Sequence, residues 1–179
     1  MNRTTAHQAV MPDNTRGSVT HTLITLALAL AVLVTGSATA HASPPAAASG
    51  IFSVTAVTSF IPTQVGANTF IHQTTDGIVA GTLAGSFSDE NDLVLHPNGR
   101  IGGSGTLTCA CTVDGRSGTI EFVMVSQGDF ASQAFEGRAV ITGGTGELDT
   151  LHGVLELQAS VDPNGFATIT YTGQIHFDQ

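Results

Sequence analysis

From Ile51 to Phe177 the side chains alternate with period two, and no segment carries a convincing 3.6-residue period. The last segment is the plainest case. Ala167, Ile169, Tyr171, Ile175 and Phe177 share one face, opposed by Thr168, Thr170, Thr172, Gln174 and His176. Alternation of this kind belongs to antiparallel strands with one face on a core and one in water. Turn signals recur about every ten to fifteen residues, which excludes a few long elements and predicts many strands.

The first predicted strand is Ile51 to Ile61, with Phe52 on its apolar face and Pro62 ending it. The second covers Asn68 to Thr75, with a hairpin signal at Asp76-Gly77. A third runs from Ile78 to Phe87, breaks at an acidic loop over 88–92, and resumes at Leu93 to Leu95. Ile101 to Val113 follows the Pro97-Asn98-Gly99 turn, and Asp114-Gly115 leads into Gly118 to Gln127. The last three are Ser132 to Thr142, Val154 to Val161, and Phe166 to Phe177 after Asp162-Pro163-Asn164-Gly165. Eight such strands hide their edges completely by closing, so an eight-stranded antiparallel up-and-down β-barrel is expected, with a two-sheet sandwich as the alternative. A barrel of about eight strands is filled by its own side chains or holds one small ligand.

Ahead of the strands, Arg3 and Arg16 precede a small-apolar run from Leu23 to Val34, and Ser37 to Ala42 offers cleavage after Ala40 or Ala42. That order predicts a secretory signal-peptide helix over 1–42, with Met11 as an alternative start. The run is shorter than the roughly 20 residues that span a bilayer, so no stable membrane anchor is expected. No cysteine precedes Cys109, and no adjacent arginine pair occurs. Residues 43–49 (SPPAAAS) read as a disordered linker, and 50–179 as one barrel domain. Removing 42 of 179 residues leaves 179 − 42 = 137, enough for a core without staples. That portion holds three arginines, no lysine and thirteen acids, a balance of 3 − 13 = −10. Such a surface repels phosphate backbones, so nucleic-acid binding is not expected, and it keeps an exported protein soluble.

Between the sixth and seventh strands, Ile141 to Gly153 reads ITGGTGELDTLHG, with glycines at 143, 144, 146 and 153. Glycine serves where φ is positive or backbones pass closely, so a tight irregular corner is predicted here. The run Gly143-Gly144-Thr145-Gly146-Glu147-Leu148, followed by Leu151-His152-Gly153, resembles a signature of the allene-oxide-cyclase-like barrel superfamily. That group includes plant allene oxide cyclases, dirigent proteins and a set of bacterial domains, to which this chain is most similar. Gly128-Asp129-Phe130, Phe135-Glu136-Gly137 and His176-Phe177-Asp178 add to the likeness. The resemblance implies an eight-stranded barrel with a hydrophobic lumen, often assembled into oligomers. The cyclases use a lumenal glutamate with a bound water, and dirigent proteins use acidic pocket residues. No position here matches the surroundings of either, and function does not transfer with a fold.

Several residues stand out chemically. Cys109 and Cys111 share a strand face with Leu107 and Val113. They are candidates for a disulfide, which on a flat strand calls for a bulge, or for two inert buried thiols. A metal pair is the poorest reading, since a closed site wants four ligands. Glu121 lies between Ile120 and Phe122 in the most apolar strand; facing inward it would be a general acid or base, facing outward a rim residue. Val123 and Val125 share its face, which points to cover by a neighbouring subunit and so to a homo-oligomer. His72, His96, His152 and His176 have no metal-ligand spacing, and Asp89-Glu90-Asn91-Asp92 lacks the alternation of a calcium loop. No G-x-S-x-G occurs, and Gly102-Gly103-Ser104-Gly105 sits in strand context. No cofactor or metal is implied.

Two functions remain. One is a secreted, non-catalytic barrel that binds a small apolar ligand or serves a structural role. The other is a cyclase- or isomerase-type enzyme acting on a small hydrophobic substrate, with Glu121 inside beside Tyr171. Phe52, Leu107, Phe122, Leu157 and Phe177 are the lumen candidates, and a lumen they plugged would leave only the structural role.

Overall fold

The computed structural model describes residues 43–178, so the predicted signal-peptide helix over 1–42 lies outside them. The strands are β1 (Ala46–Val65), β2 (Asn68–Gly81), β3 (Ala84–Leu95), β4 (Arg100–Val113), β5 (Arg116–Asp129), β6 (Ala134–Gly146), β7 (Leu151–Val161) and β8 (Ala167–Phe177). Each pairs antiparallel with its neighbour in sequence, and β8 returns to β1, so the sheet closes into the expected eight-stranded barrel. The closing seam runs from Ala46 against Ile175 to Ser53 against Thr168. Beyond Ser53, β1 continues with β2 as its ladder partner, through register shifts near Val54 and Val57.

Four local expectations are corrected. The linker over 43–49 is half strand: Ala46–Ser49 pair with β8, Ala48 enters the core, and the Ser43 hydroxyl donates to the Phe177 carbonyl at 3.0 Å. Low side-chain content did not prevent this, because the ladder uses backbone groups alone. Pro62 does not end β1; it sits where only β2 flanks the strand, and a missing N–H is tolerated at an edge. Asp76-Gly77 is not a turn but mid-β2. A methyl at Gly77 would collide with the Ser53 carbonyl and the Phe87 ring, so this glycine answers a close approach. Finally, 88–92 is no loop: β3 runs unbroken, with Asp89 and Asn91 facing inward and Glu90 and Asp92 near or in solvent.

The glycine corner is tighter than expected. β6 continues through Gly143 and Gly144 to Gly146, whose φ of 66° starts the 147–150 turn. Asp114 and Gly115, at φ 50° and 79°, form the expected two-residue hairpin turn. At 162–166 the Asp162 carboxylate accepts the backbone N–H of Asn164 and of Phe166, each at 2.9 Å, which holds its pKa below the usual value.

Side chains fill the barrel unevenly. Turns 82–83, 114–115 and 147–150 lie at one end, and there Leu83, Val113, Ile120, Leu148, Leu151 and Leu155 are almost wholly buried. Across the middle lies a layer of aromatic rings. Phe52 meets Phe87 edge-on at 5.4 Å, Phe122 edge-on at 6.4 Å and Tyr171 tilted at 5.1 Å. One inward step further along each strand the residues become Val54, Thr75, Asp89, Gly105, Met124, Gly137, Leu157 and Ile169. Two glycines and no aromatic ring cannot occupy the cross-section that four rings filled. The lumen is therefore packed at one end and open toward the turns at 66–67, 130–133 and 162–166.

Candidate functional site

The unfilled half is a cavity of about 640 Å³, within the roughly 300–1,000 Å³ typical of small-molecule sites. Its walls are largely apolar, among them Val54 and Phe60 of β1, Ile71 of β2, Met124 of β5, Leu157 of β7 and Ile169 of β8. Phe60 and Phe130, both more than half exposed, stand on its lining toward the mouth.

One wall is polar. β2 contributes Gln73 and Thr75, and β3 contributes Asp89 and Asn91, all facing the cavity. These four converge because β2 and β3 pair in register, Thr75 opposite Asp89 and Gln73 opposite Asn91. Asp89 is only 9 % exposed. The Thr75 hydroxyl donates to its Oδ1, and the Asn91 amide Nδ2 donates to its Oδ2 at 3.0 Å. Burial pushes the Asp89 carboxyl above its ordinary pKa; the hydrogen bonds from Thr75 and Asn91 work against that rise, and nearby Asp76 adds to it. The arrangement can present either a carboxylate acceptor or a carboxylic acid donor to a guest.

The residues singled out from sequence are scattered. Glu121 points outward, exposed, between Thr108 and Gly143 on neighbouring strands, so it is not the inward acid of the enzyme reading. Its sequence neighbours Ile120 and Phe122 are buried because adjacent residues on a strand face opposite ways. Tyr171 does face inward, at 1 % exposure, but its hydroxyl accepts the Leu83 N–H at 2.9 Å, tying it to the packed end. Burial pushes its phenol pKa up. The two residues are not brought together. Phe52, Leu107 and Phe122 belong to the packed layer, whereas Leu157 lines the cavity. Phe177 lies at the packed end, with the Arg116 guanidinium 4.0 Å above its ring. The lumen candidates thus plug half of the barrel and leave the other half open.

Cys109 and Cys111 are joined by a disulfide, with Cα atoms 5.4 Å apart and both residues buried. No register shift accompanies it in either flanking ladder, so the strand contracts locally without the expected bulge. His72 lies beside Asp92, its Nδ1 3.0 Å from the carboxylate, which raises its pKa. His152 and His176 flank Asp178 at 3.2 and 3.6 Å. Among the described residues no group of three or more His, Cys, Asp and Glu could hold a metal ion.

Sequence reasoning missed Asp89, Thr75, Asn91 and Gln73. The usable signal was the parity of Phe87, Asp89, Asn91 and Leu93, which share one face of a strand bounded by apolar residues.

No protein-family model matches the chain, and no curated protein matches it. Among solved structures it is similar to a protein with unknown function from the DUF3224 family of Shewanella oneidensis MR-1. The identity is 17 % and the TM-score 0.54, over 73 % of this chain and 97 % of that one. At that identity the likeness concerns the fold alone.

Proposed function

We propose that this chain is an exported binding barrel that takes a small, mostly apolar molecule into the open half of its lumen. One observation carries the reading: a cavity of about 640 Å³ lies above a closed aromatic floor, apolar on most sides, with one polar wall at Thr75, Asp89 and Asn91. Apolar walls supply affinity through area removed from water, and a few fixed polar groups orient the guest. Export is supported by the basic, apolar and small-residue order of residues 1–42.

The test is a titration with a neutral fluorescent apolar probe, N-phenyl-1-naphthylamine, followed by emission. Ala159 lines the cavity, and Ala159→Trp would fill part of it. Binding to the wild type and a loss of about tenfold or more in Ala159→Trp, at unchanged melting temperature, support the reading. Absence of probe binding, or equal binding by the variant, sinks it.

A second reading, a cyclase or isomerase working on the same guest, is favoured by Asp89 rather than Glu121. A carboxyl group in an apolar cup, with its pKa raised, is suited to proton transfer. Solvent deuterium incorporated into a bound guest, and lost in Asp89→Asn, would support it. Binding with no exchange leaves the carrier reading.

A further inference from the structure

We propose that the cavity selects a small apolar molecule carrying a protonated amine, whose ammonium group docks on the polar wall and donates to Asp89. The inference rests on reading the cavity as a binding site and names the chemistry of its guest.

The charge of the lining is one-sided. Asp89 turns its carboxylate into the cavity and Asp162 stands on its lining at the 162–166 turn, whereas among the described residues no arginine, lysine or histidine lines it. The chain has no lysine anywhere, and the arginines after residue 42 are Arg100, Arg116 and Arg138. Arg138 lies 3.9 Å from Glu156 and Arg116 lies over Phe177, so both are placed away from the lining. A formal charge of −9 on the whole chain draws cations toward a cleft lined by carboxylates and repels anions.

Among the described residues no cation stands beside Asp89. Its two oxygens each accept one hydrogen bond, from the neutral Thr75 hydroxyl and the neutral Asn91 amide. A carboxylate oxygen can accept more than one hydrogen bond, so acceptor capacity remains. A desolvated carboxylate with no opposite charge nearby is costly, and an ammonium brought to it removes that cost while making charge-assisted hydrogen bonds. A carboxylate-bearing guest would instead add like charge beside Asp89. An alcohol would bind without the ionic gain. The Gln73 amide and the Asn91 carbonyl oxygen sit along the same wall, where they can accept the remaining ammonium hydrogens.

Three probes of nearly the same shape decide the matter: 1-naphthylmethylamine, 1-naphthalenemethanol and 1-naphthoate, titrated calorimetrically at pH 7 into the whole exported protein. The expected order is amine, then alcohol, then acid, with the amine favoured over the alcohol by about tenfold or more. In Asp89→Asn the amine should lose more affinity than the alcohol does, and its advantage over the alcohol should fall to about twofold or less. If the alcohol or the acid binds as tightly as the amine, the inference is overturned and the binding-barrel reading stands. An undiminished preference in Asp89→Asn overturns it equally, since the recognition would then lie elsewhere. Binding by none of the three brings down both readings. Should Asp89→Asn fail to fold, the three-probe order in the wild type decides alone.

Discussion

The floor of the cavity hangs on Phe52, and Phe52→Ala tests whether packing there divides the lumen. Phe52 is 3 % exposed and is the ring that touches the other three, Phe87, Phe122 and Tyr171. Truncating a buried phenylalanine costs about 3–5 kcal/mol, through lost transfer energy and the void left behind. Each aromatic pair contributes about 0.5–1.5 kcal/mol beyond its area, and three go at once, which places this site near the top of that range, at about 4–5 kcal/mol. A domain of this size has about 5–15 kcal/mol in all, so the variant should fold but unfold early. With a urea slope of about 1.5–2 kcal/mol/M, the midpoint should drop by about 2–3 M. The same truncation removes the floor, so the cavity deepens toward Cys109 and Leu155. A homologous series of n-alkyl alcohols should then gain affinity at chain lengths where the wild type has levelled off. Urea unfolding followed by circular dichroism, beside calorimetric titration of the series, reads both effects. A loss below about 2 kcal/mol at unchanged slope, with the length limit unmoved, would mean that neighbouring rings close over the gap, and the argument for a floor held by Phe52 would fail.

Three further outcomes follow from the same geometry. Tyr171→Phe leaves the N–H of the fully buried Leu83 without its acceptor and should cost about 1–3 kcal/mol, with faster amide exchange at Leu83; unchanged exchange would refute it. The Cys109–Cys111 bond closes a loop of only three residues, so chain entropy gives it about 1.6 kcal/mol; urea midpoints with and without reductant check this, and a loss above about 3 kcal/mol would contradict it. Asp89 has a folded-state pKa above its unfolded value, so the native state binds its proton more tightly than the unfolded chain does. Its contribution therefore makes stability fall as pH rises from the unfolded pKa to the folded one, by at most about 1.4 kcal/mol per pH unit, and stay level above. Urea midpoints across pH 4–8 should show that descending limb in the wild type and a flatter one in Asp89→Asn; parallel profiles would refute the assignment.

The strand count and the closed sheet were legible because period-two alternation survives in nearly every segment, as in Ala167–Phe177. Turns needing positive φ were legible too, at Gly99, Gly115 and Gly165, since few residues other than glycine take that conformation. What misled was composition read without parity. Asp76-Gly77 has the letters of a hairpin, yet that glycine makes room for the Phe87 ring, a long-range requirement that no local window contains. Residues 88–92 look like a solvated acidic loop only if the acids are counted together. Split by parity, Glu90 and Asp92 flank His72 on the outside, and Asp89 and Asn91 continue the inward row from Phe87.

Glu121 drew notice for the opposite error, because its neighbours in sequence are apolar while the residues two away are Thr119, half-buried, and Val123, exposed. On a strand the surroundings of a carboxylate are set by positions i ± 2 and by the partners across the ladder, not by i ± 1. For Asp89 those positions are Phe87 and Asn91 along the strand, and Thr75 and Leu107 across it. This chain closes one half of its lumen with four aromatic rings and a set of fully buried leucines, so it has the side chains to fill a barrel. Where it places Gly105, Gly137 and a buried carboxylate instead, it forgoes packing that a purely structural cylinder would use. Stability alone does not account for that choice, whereas the guest we propose, covering the apolar walls and meeting Asp89, would.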